Sequence, residues 1–325
     1  MEFSGLKENI FMKFNNIIFF LFLSLSLDVF SQSFHVNSLF SPGLTMGIDY
    51  PMVAKVNDSV DFQMTKYKVQ FVKPLKTKLG VSLKNFDFKK ADAKASQIFL
   101  ATKFSVAQPE LTHTKLEHIY KGEIEFTAIT ASVRNGIWVY SANVYAEESS
   151  ESISKHFTPN LRTYIAYVNI RNLRMIHFYG ASLVVNQGRI VPLPLFGFRA
   201  KLNSKFKTEV IFPVHIKFNY DATAKSSFDL AGYFSGINTI YREGSAFKNN
   251  DNSINFRELK TYLAYNLKLS KHYKLKFETG YSFLRALHGI STDYNETVNP
   301  SMYYSFSFNY NFGHSVFGNF VGGTQ

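Results

Sequence analysis

The sequence predicts an all-β fold, a transmembrane antiparallel up-and-down β-barrel of about 12 strands, with about 10 or 14 also acceptable because single-chain bacterial barrels use even numbers. Three observations carry that expectation. Near the C-terminus Tyr304, Phe306, Phe308, Tyr310 and Phe312 alternate with Ser305, Ser307, Asn309 and Asn311, and side chains on a strand point alternately to opposite faces, so one face is aromatic and the other polar. The chain begins with a segment that reads as an export signal. No later apolar run approaches the roughly 20 residues that a spanning helix needs.

Composition narrows the classes. Of 325 residues, 36 are Lys or Arg and 24 are Asp or Glu, 17% are aromatic, and there is no Cys, which excludes disulfide scaffolds and thiolate metal sites. The net charge of +12 could suit nucleic acid, but such binders gather their basic residues into a stripe or arm. Here they are spread singly along strand patterns, so no nucleic-acid partner is expected. The charge fits a barrel interior or the lipid head-group rim.

Taken in order, Lys13, Asn15 and Asn16 precede an apolar run over residues 17–27, and the small Ser31 follows Val29 and Phe30. This is the layout of a secretory signal cleaved after Ser31, with Met12 as the natural start and residues 1–11 an upstream extension. Residues 1–31 are therefore assigned to extension and signal, and residues 32–325 to a single barrel domain. Strand patterns follow at residues 98–106, 124–130, 162–170, 175–185, 212–220, 228–234, 259–269 and 273–283. In the last, Tyr273, Leu275, Phe277, Tyr281 and Phe283 oppose Lys274, Lys276, Glu278 and Ser282. The longest apolar run, residues 190–198, is interrupted by Pro192 and Pro194.

Connections come in two sizes, as a barrel with tight turns at one end and longer loops at the other requires. Asn135-Gly136 and residues 202–205 and 270–272 read as tight turns. Residues 147–160, 242–255 and 287–300 read as long polar loops. The alternation breaks at residues 221–226, where a short connection comes out of turn and a strand boundary is misplaced.

The signal, the stretch Asp49-Tyr50-Pro51-Met52, the stretch Pro192-Leu193-Pro194-Leu195 before a strand and the aromatic closing strand together resemble a family of uncharacterised outer-membrane β-barrel proteins of Gram-negative bacteria. The resemblance implies an outer-membrane location, partnership with outer-membrane lipid and the barrel-assembly machinery, and no catalytic residue. The chain departs from the usual terminal aromatic: residues 313–325 follow Phe312, so the last strand closes at Phe312 or continues toward Phe317 or Phe320.

Sites of chemistry are few. Gly313-His314-Ser315-Val316-Phe317 falls one residue short of the Gly-x-Ser-x-Gly elbow. His177 and Ser182 share a strand pattern on opposite faces, and His113 with His118 lacks the i, i+4 spacing of a helical zinc motif. Glu147, Glu148 and Glu151 read as a solvated acidic loop rather than a Ca²⁺ site. No catalytic residue, metal or cofactor is expected. If the apolar faces meet lipid, His215, Lys217, Lys260, Lys268, Lys274, Lys276 and Glu278 face the lumen, because charge on the lipid face costs about 2–4 kcal/mol at the midplane. Two outcomes stay open: a plug of paired charges, with Glu278 and Glu209 holding neighbouring lysines and Tyr262 filling space, or a narrow pore whose Lys excess leans toward small anionic solutes. Tyr220, Tyr273, Tyr281, Tyr304 and Tyr310 suit interfacial belts.

The expected function is thus a non-enzymatic barrel, either a narrow anion-leaning pore or a structural and surface-interaction barrel. Two alternatives are a barrel enzyme acting on lipid or peptide at the rim, as an acyl hydrolase or protease, and a secreted soluble ligand-binding barrel whose apolar face points inward.

Overall fold

A computed structural model describes residues 42–82, 92–112, 114–115, 117–132, 136–149, 159–172, 174–186, 189–213, 215–237, 254–289 and 295–312. The export segment, His113, Glu151 and the Gly313–Phe317 motif lie outside them. Seventeen strands follow in order: β1 (Gly43–Pro51), β2 (Ala54–Val56), β3 (Val60–Ser82), β4 (Asp92–Leu111), β5 (Thr114–Lys115), β6 (Ile119–Ser132), β7 (Gly136–Ser149), β8 (Asn160–Asn172) and β9 (Met175–Asn186). The second half holds β10 (Arg189–Lys201), β11 (Phe206–Phe212), β12 (His215–Asp221), β13 (Ser226–Ile237), β14 (Ile254–Lys268), β15 (Tyr273–Gly289), β16 (Asn295–Val298) and β17 (Ser301–Asn311).

Every pairing is antiparallel, and β1 pairs with β3 on one side and β17 on the other, so the sheet closes on itself. Fourteen strands form the ring, with β2, β5 and β16 as short extensions of their neighbours. Among the described residues each strand of the ring pairs with a neighbour on both sides over at least part of its length, which is how a sheet satisfies its backbone in hydrocarbon. The count of 14 lies within the expected range of about 10 to 14, and residues 206–220, where the sequence predicts one strand over 212–220, fold as a hairpin of two strands. Pro213 has no N–H to offer a ladder, and the chain turns there, giving β11 and β12 with Ile211 opposite His215. Residues 222–225 then form a tight turn at the same barrel end as residues 202–205 and 269–272. The short and long connections do not alternate strictly: β9 and β10, like β11 and β12, are joined by two residues at the other end, and β3 and β4 by nine residues at this one.

That end also carries Gly136, whose φ of 71° occupies the left-handed region a hairpin turn asks of glycine. At the opposite end lie the longer connections between β7 and β8, β13 and β14, and β15 and β16. Glu147 and Glu148 correct the expectation of a solvated acidic loop: both belong to β7 and are buried.

The outward faces are apolar. Tyr67, Phe104, Ile124, Phe126, Val144, Ile165, Phe218, Leu263 and Phe277 are each exposed, while their strand neighbours of the other parity, such as Glu125, Asn143, Tyr164 and Ala264, are buried inside. A soluble barrel with an inward aromatic face requires the reverse, and that alternative falls. At the turn end the outward rings touch in pairs, Trp138 with Tyr167, Phe206 with Tyr220, and Tyr273 with Tyr310, at centroid separations of 5.1, 4.7 and 5.1 Å. Such a girdle suits the interface between acyl chains and head groups. Tyr281 and Tyr304 lie higher, toward the loop end, on the same outer face.

The interior is layered. An apolar cluster including Phe99, Ile129, Val139, Val168, Phe178 and Ile211 lines β3 to β11 toward the turn end. A second, with Phe62, Met64, Ile119, Phe256, Leu287 and Val298, lies at the loop end. Charged side chains occupy the level between. The packing inside is close where glycine faces an aromatic ring: Gly280 lies opposite Tyr303, and a Cβ at that glycine would sit 2.6 Å from the ring and 2.3 Å from the Thr261 carbonyl oxygen. Gly280→Ala is expected to lower stability by about 1–3 kcal/mol through overpacking, read as a lower urea midpoint in heat-modifiable gel mobility. An unchanged midpoint would mean that Tyr303 swings away freely.

Candidate functional site: a paired charge belt inside the barrel

The belt is built from residues of one parity on each strand. On β14 even-numbered side chains point inward, which places Glu258, Lys260 and Tyr262 in a column, and on β15 the same parity places Lys274, Lys276 and Glu278 beside it. A bulge interrupts the two strands between Arg257 and Leu259, where Leu284 takes a φ of 50°. The extra residue leaves Leu284 on the outside and turns Arg285 inward, the usual consequence of a bulge.

Glu258 is the hub of this wall. Its carboxylate lies 3.3 Å from Lys260, 3.7 Å from Lys66 of β3 and 3.8 Å from Arg285, and it accepts a hydrogen bond of 2.6 Å from Ser282. Arg285 also donates to the Asn299 carbonyl and to Ser301 at 2.9 and 2.8 Å. Nearby, Asp49 of β1 accepts from Lys68 at 2.9 Å and from Ser305 at 2.6 Å. Glu278 accepts from Lys276 at 2.6 Å and from the Tyr303 hydroxyl at 2.8 Å. Both lysines also stack on rings, Lys260 over Tyr303 at 4.3 Å and Lys276 over Tyr262 at 4.5 Å, where the ring face attracts a cation.

Across the barrel a second group forms on β4, β6, β7 and β8. Glu123 lies 3.0 Å from Lys121 and 3.6 Å from both Lys103 and Arg162, and it accepts from Asn143 at 3.0 Å. Glu125 lies 3.2 Å from Lys103 and accepts from Ser141 at 2.8 Å. A third group sits on the low hairpin, where Glu209 is ion-paired with Arg199 and lies 2.6 Å from His215. Asp229 accepts from Asn219 and Asn266 at 2.7 and 2.9 Å.

The seven residues singled out from the sequence all sit at inward parity, but they do not form one set. Lys260 belongs with Glu258, Lys276 with Glu278, and His215 with Glu209. Lys217 faces Glu209 across β11 and β12. Lys268 and Lys274 lie opposite one another near the turn end. What sequence reasoning missed are the carboxylates Asp49, Glu123 and Glu125 on distant strands and Glu258 on β14 itself, together with Arg162, Arg199 and Arg285. Alternation gives the face on which each residue lies, but which strands meet depends on register. His177 stacks on Tyr179 with centroids 6.1 Å apart, whereas Ser182, of the other parity, donates to the Thr163 carbonyl at 2.9 Å.

A sequence profile described as a domain of unknown function, DUF6268, matches residues 138–320, more than half of the chain. The chain belongs to that family. The matched span takes in β8 to β17, with the Glu209 group and all of the Glu258 group except Lys66 of β3. No curated protein matches the sequence. Among solved structures the chain is similar to the translocator domain of the autotransporter NalP from Neisseria meningitidis, at 7% identity and a TM-score of 0.34, covering 84% of this chain and 88% of that one. It is also similar to the transport unit of the autotransporter AIDA-I from Escherichia coli, at 7% identity and a TM-score of 0.32 over 90% and 97% of the two chains. An outer membrane channel from Pseudomonas putida F1 matches at 10% identity and a TM-score of 0.33 over 83% and 98%. At these values the likenesses carry no argument about activity.

Proposed function

We propose that this protein is exported to the bacterial outer membrane and acts there, without catalysis, as a narrow passage whose bore is set by the paired charge belt. The observation that carries the reading is the matching of inner cations to inner carboxylates beneath an apolar outer face. Buried charge persists only when paired or hydrated, and the belt supplies pairs from six or more strands of a 14-strand ring, wider than the barrels of about 8 strands that side chains fill. Pairing also tempers the anion preference that a Lys excess alone would give: Lys260 and Lys276 each spend their charge on a carboxylate.

Planar bilayer recording of the purified protein tests this. Small unitary currents with weak ion selectivity are expected, and Glu278→Gln, which releases Lys276 from its partner, is expected to move the reversal potential toward anions. A variant with wild-type reversal potential would place the belt outside the ion path. The apolar clusters at both ends of the interior favour a second reading, a plugged structural barrel, and complete absence of current would select it.

A further inference from the structure

One sector of the wall is built unlike the rest. β11 and β12 have 7 residues each, between β10 with 13 and β13 with 12. Seven residues at about 3.4 Å each, tilted by about 40°, rise roughly 18 Å, short of an apolar band about 25 Å tall. Among the described residues, pairing of β10 with β11 begins at Phe196, and pairing of β12 with β13 ends at Tyr233. Above the hairpin, residues 189–195 of β10 and 234–237 of β13 therefore face each other without a ladder between them.

Pro192 and Pro194 lie in that stretch of β10, and a strand tolerates proline where the missing N–H faces an unpaired edge. From Ile190 to Leu195 the stretch is apolar on both faces. Ile190, Pro192, Pro194 and Phe196 look outward and are exposed, while Leu193 and Leu195 look inward and are buried. What bridges the two edges is side-chain packing: Phe234 of β13 packs against the cluster of Val184 and Leu193, with Val191. Just below, on the inner face, Arg199, His215 and Lys217 lie around the carboxylate of Glu209.

We infer that this seam is a lateral portal through which the apolar tail of a single-chain amphiphile with an anionic head, a long-chain carboxylate, moves between the hydrocarbon and the barrel interior, with Phe234 as its stopper. The inference rests on the barrel being embedded in a bilayer and adds to the passage its route and substrate class. The tail meets apolar side chains from lipid to lumen, and Lys217, opposite Glu209 across the hairpin, receives the head group.

The test is photolabelling of the full-length protein in nanodiscs with a diazirine-tagged hexadecanoate, its sites read by tandem mass spectrometry. Label is expected on inward Val191 and Leu193 as well as on outward Ile190 and Leu183, and Phe234→Ala is expected to raise the inward share. A hexadecanol probe of the same length is expected to label the outward residues equally and the inward ones less, and Lys217→Gln is expected to narrow that difference. Label confined to the outward residues in both wild type and Phe234→Ala would overturn the portal while leaving membrane residence intact. Equal inward labelling by acid and alcohol would overturn the anionic head group. A barrel with no label even on Ile190 and Leu183 would overturn the membrane reading and the portal together.

Discussion

Replacing Glu258 by Gln is expected to destabilise the barrel by about 3–5 kcal/mol, because removing one partner of a buried ion pair leaves the other charges uncompensated. The side chain of Glu258 is 4% exposed, and three cations, Lys66, Lys260 and Arg285, converge on it with side chains 16%, 6% and 1% exposed. Gln keeps the size and can still accept from Ser282, so the change isolates charge from packing. Lys260 retains Tyr303 as a cation–π partner, worth about 0.5–2 kcal/mol, too little to replace the carboxylate. Urea titration of the protein folded into vesicles, read by heat-modifiable mobility, gives the loss. Because Lys260 and Glu258 share one network, the double variant Glu258→Gln with Lys260→Met should lose less than the sum of the two single changes. Strict additivity would mean that Glu258 and Lys260 act independently, and a loss below about 1 kcal/mol would mark the pairs as hydrated surface bridges.

How much of this arrangement the sequence disclosed depends on what each strand buries. β17, β15 and β14 alternate cleanly because aromatic and aliphatic residues meet one medium and Lys, Asn and Ser the other, so period 2 finds them directly. β7 hides from that test: Ile137-Trp138-Val139-Tyr140 is apolar on both faces, since Ile137 and Val139 fill the inner cluster while Trp138 joins the outer girdle. β10 hides for the same reason, with Leu193 and Leu195 inside and prolines outside. β3 runs for 23 residues with a register shift between Pro74 and Lys76, which resets the parity midway. Residues 206–220 misled differently, because β11 and β12 are continuous in polarity and only Pro213 marks the turn.

The charge belt was half legible. The lysines of β14 and β15 stand out because they interrupt an apolar alternation within one hairpin, and Glu278 is two residues from Lys276. Asp49 and Lys68, 19 residues apart, meet where β1 pairs with β3, and Asp49 and Ser305, 256 apart, meet where β1 closes onto β17. No local pattern encodes that register. The acidic residues of β7 show the opposite error: Glu147 and Glu148 look like loop residues by composition, yet both lie in β7 and are buried.

Leu263→Lys is expected to cost about 2–4 kcal/mol of folding free energy in a bilayer, the penalty for a cation near the midplane of the lipid face. Leu263 is outward and 50% exposed, near the middle of β14, with Thr279 and Leu230 as its cross-strand neighbours. The outward rings Phe228, Tyr265 and Phe277 lie close by around the same groove, and none offers a counter-charge. The contrast with Tyr262, the next residue, defines the test. Tyr262 faces inward beside Lys276 and carries its ring under that ammonium, so Tyr262→Lys would set two cations together inside, whereas Leu263→Lys sets one alone in hydrocarbon. The two changes respond differently to their surroundings. Shortening the acyl chains of the vesicles lets a long lysine reach the interface, so the cost of Leu263→Lys should fall in thin bilayers while that of Tyr262→Lys stays constant. Should Leu263→Lys be neutral in every bilayer, and fold as well in detergent-free buffer, the outer face of this barrel meets water and the assignment of lipid to the outside is wrong.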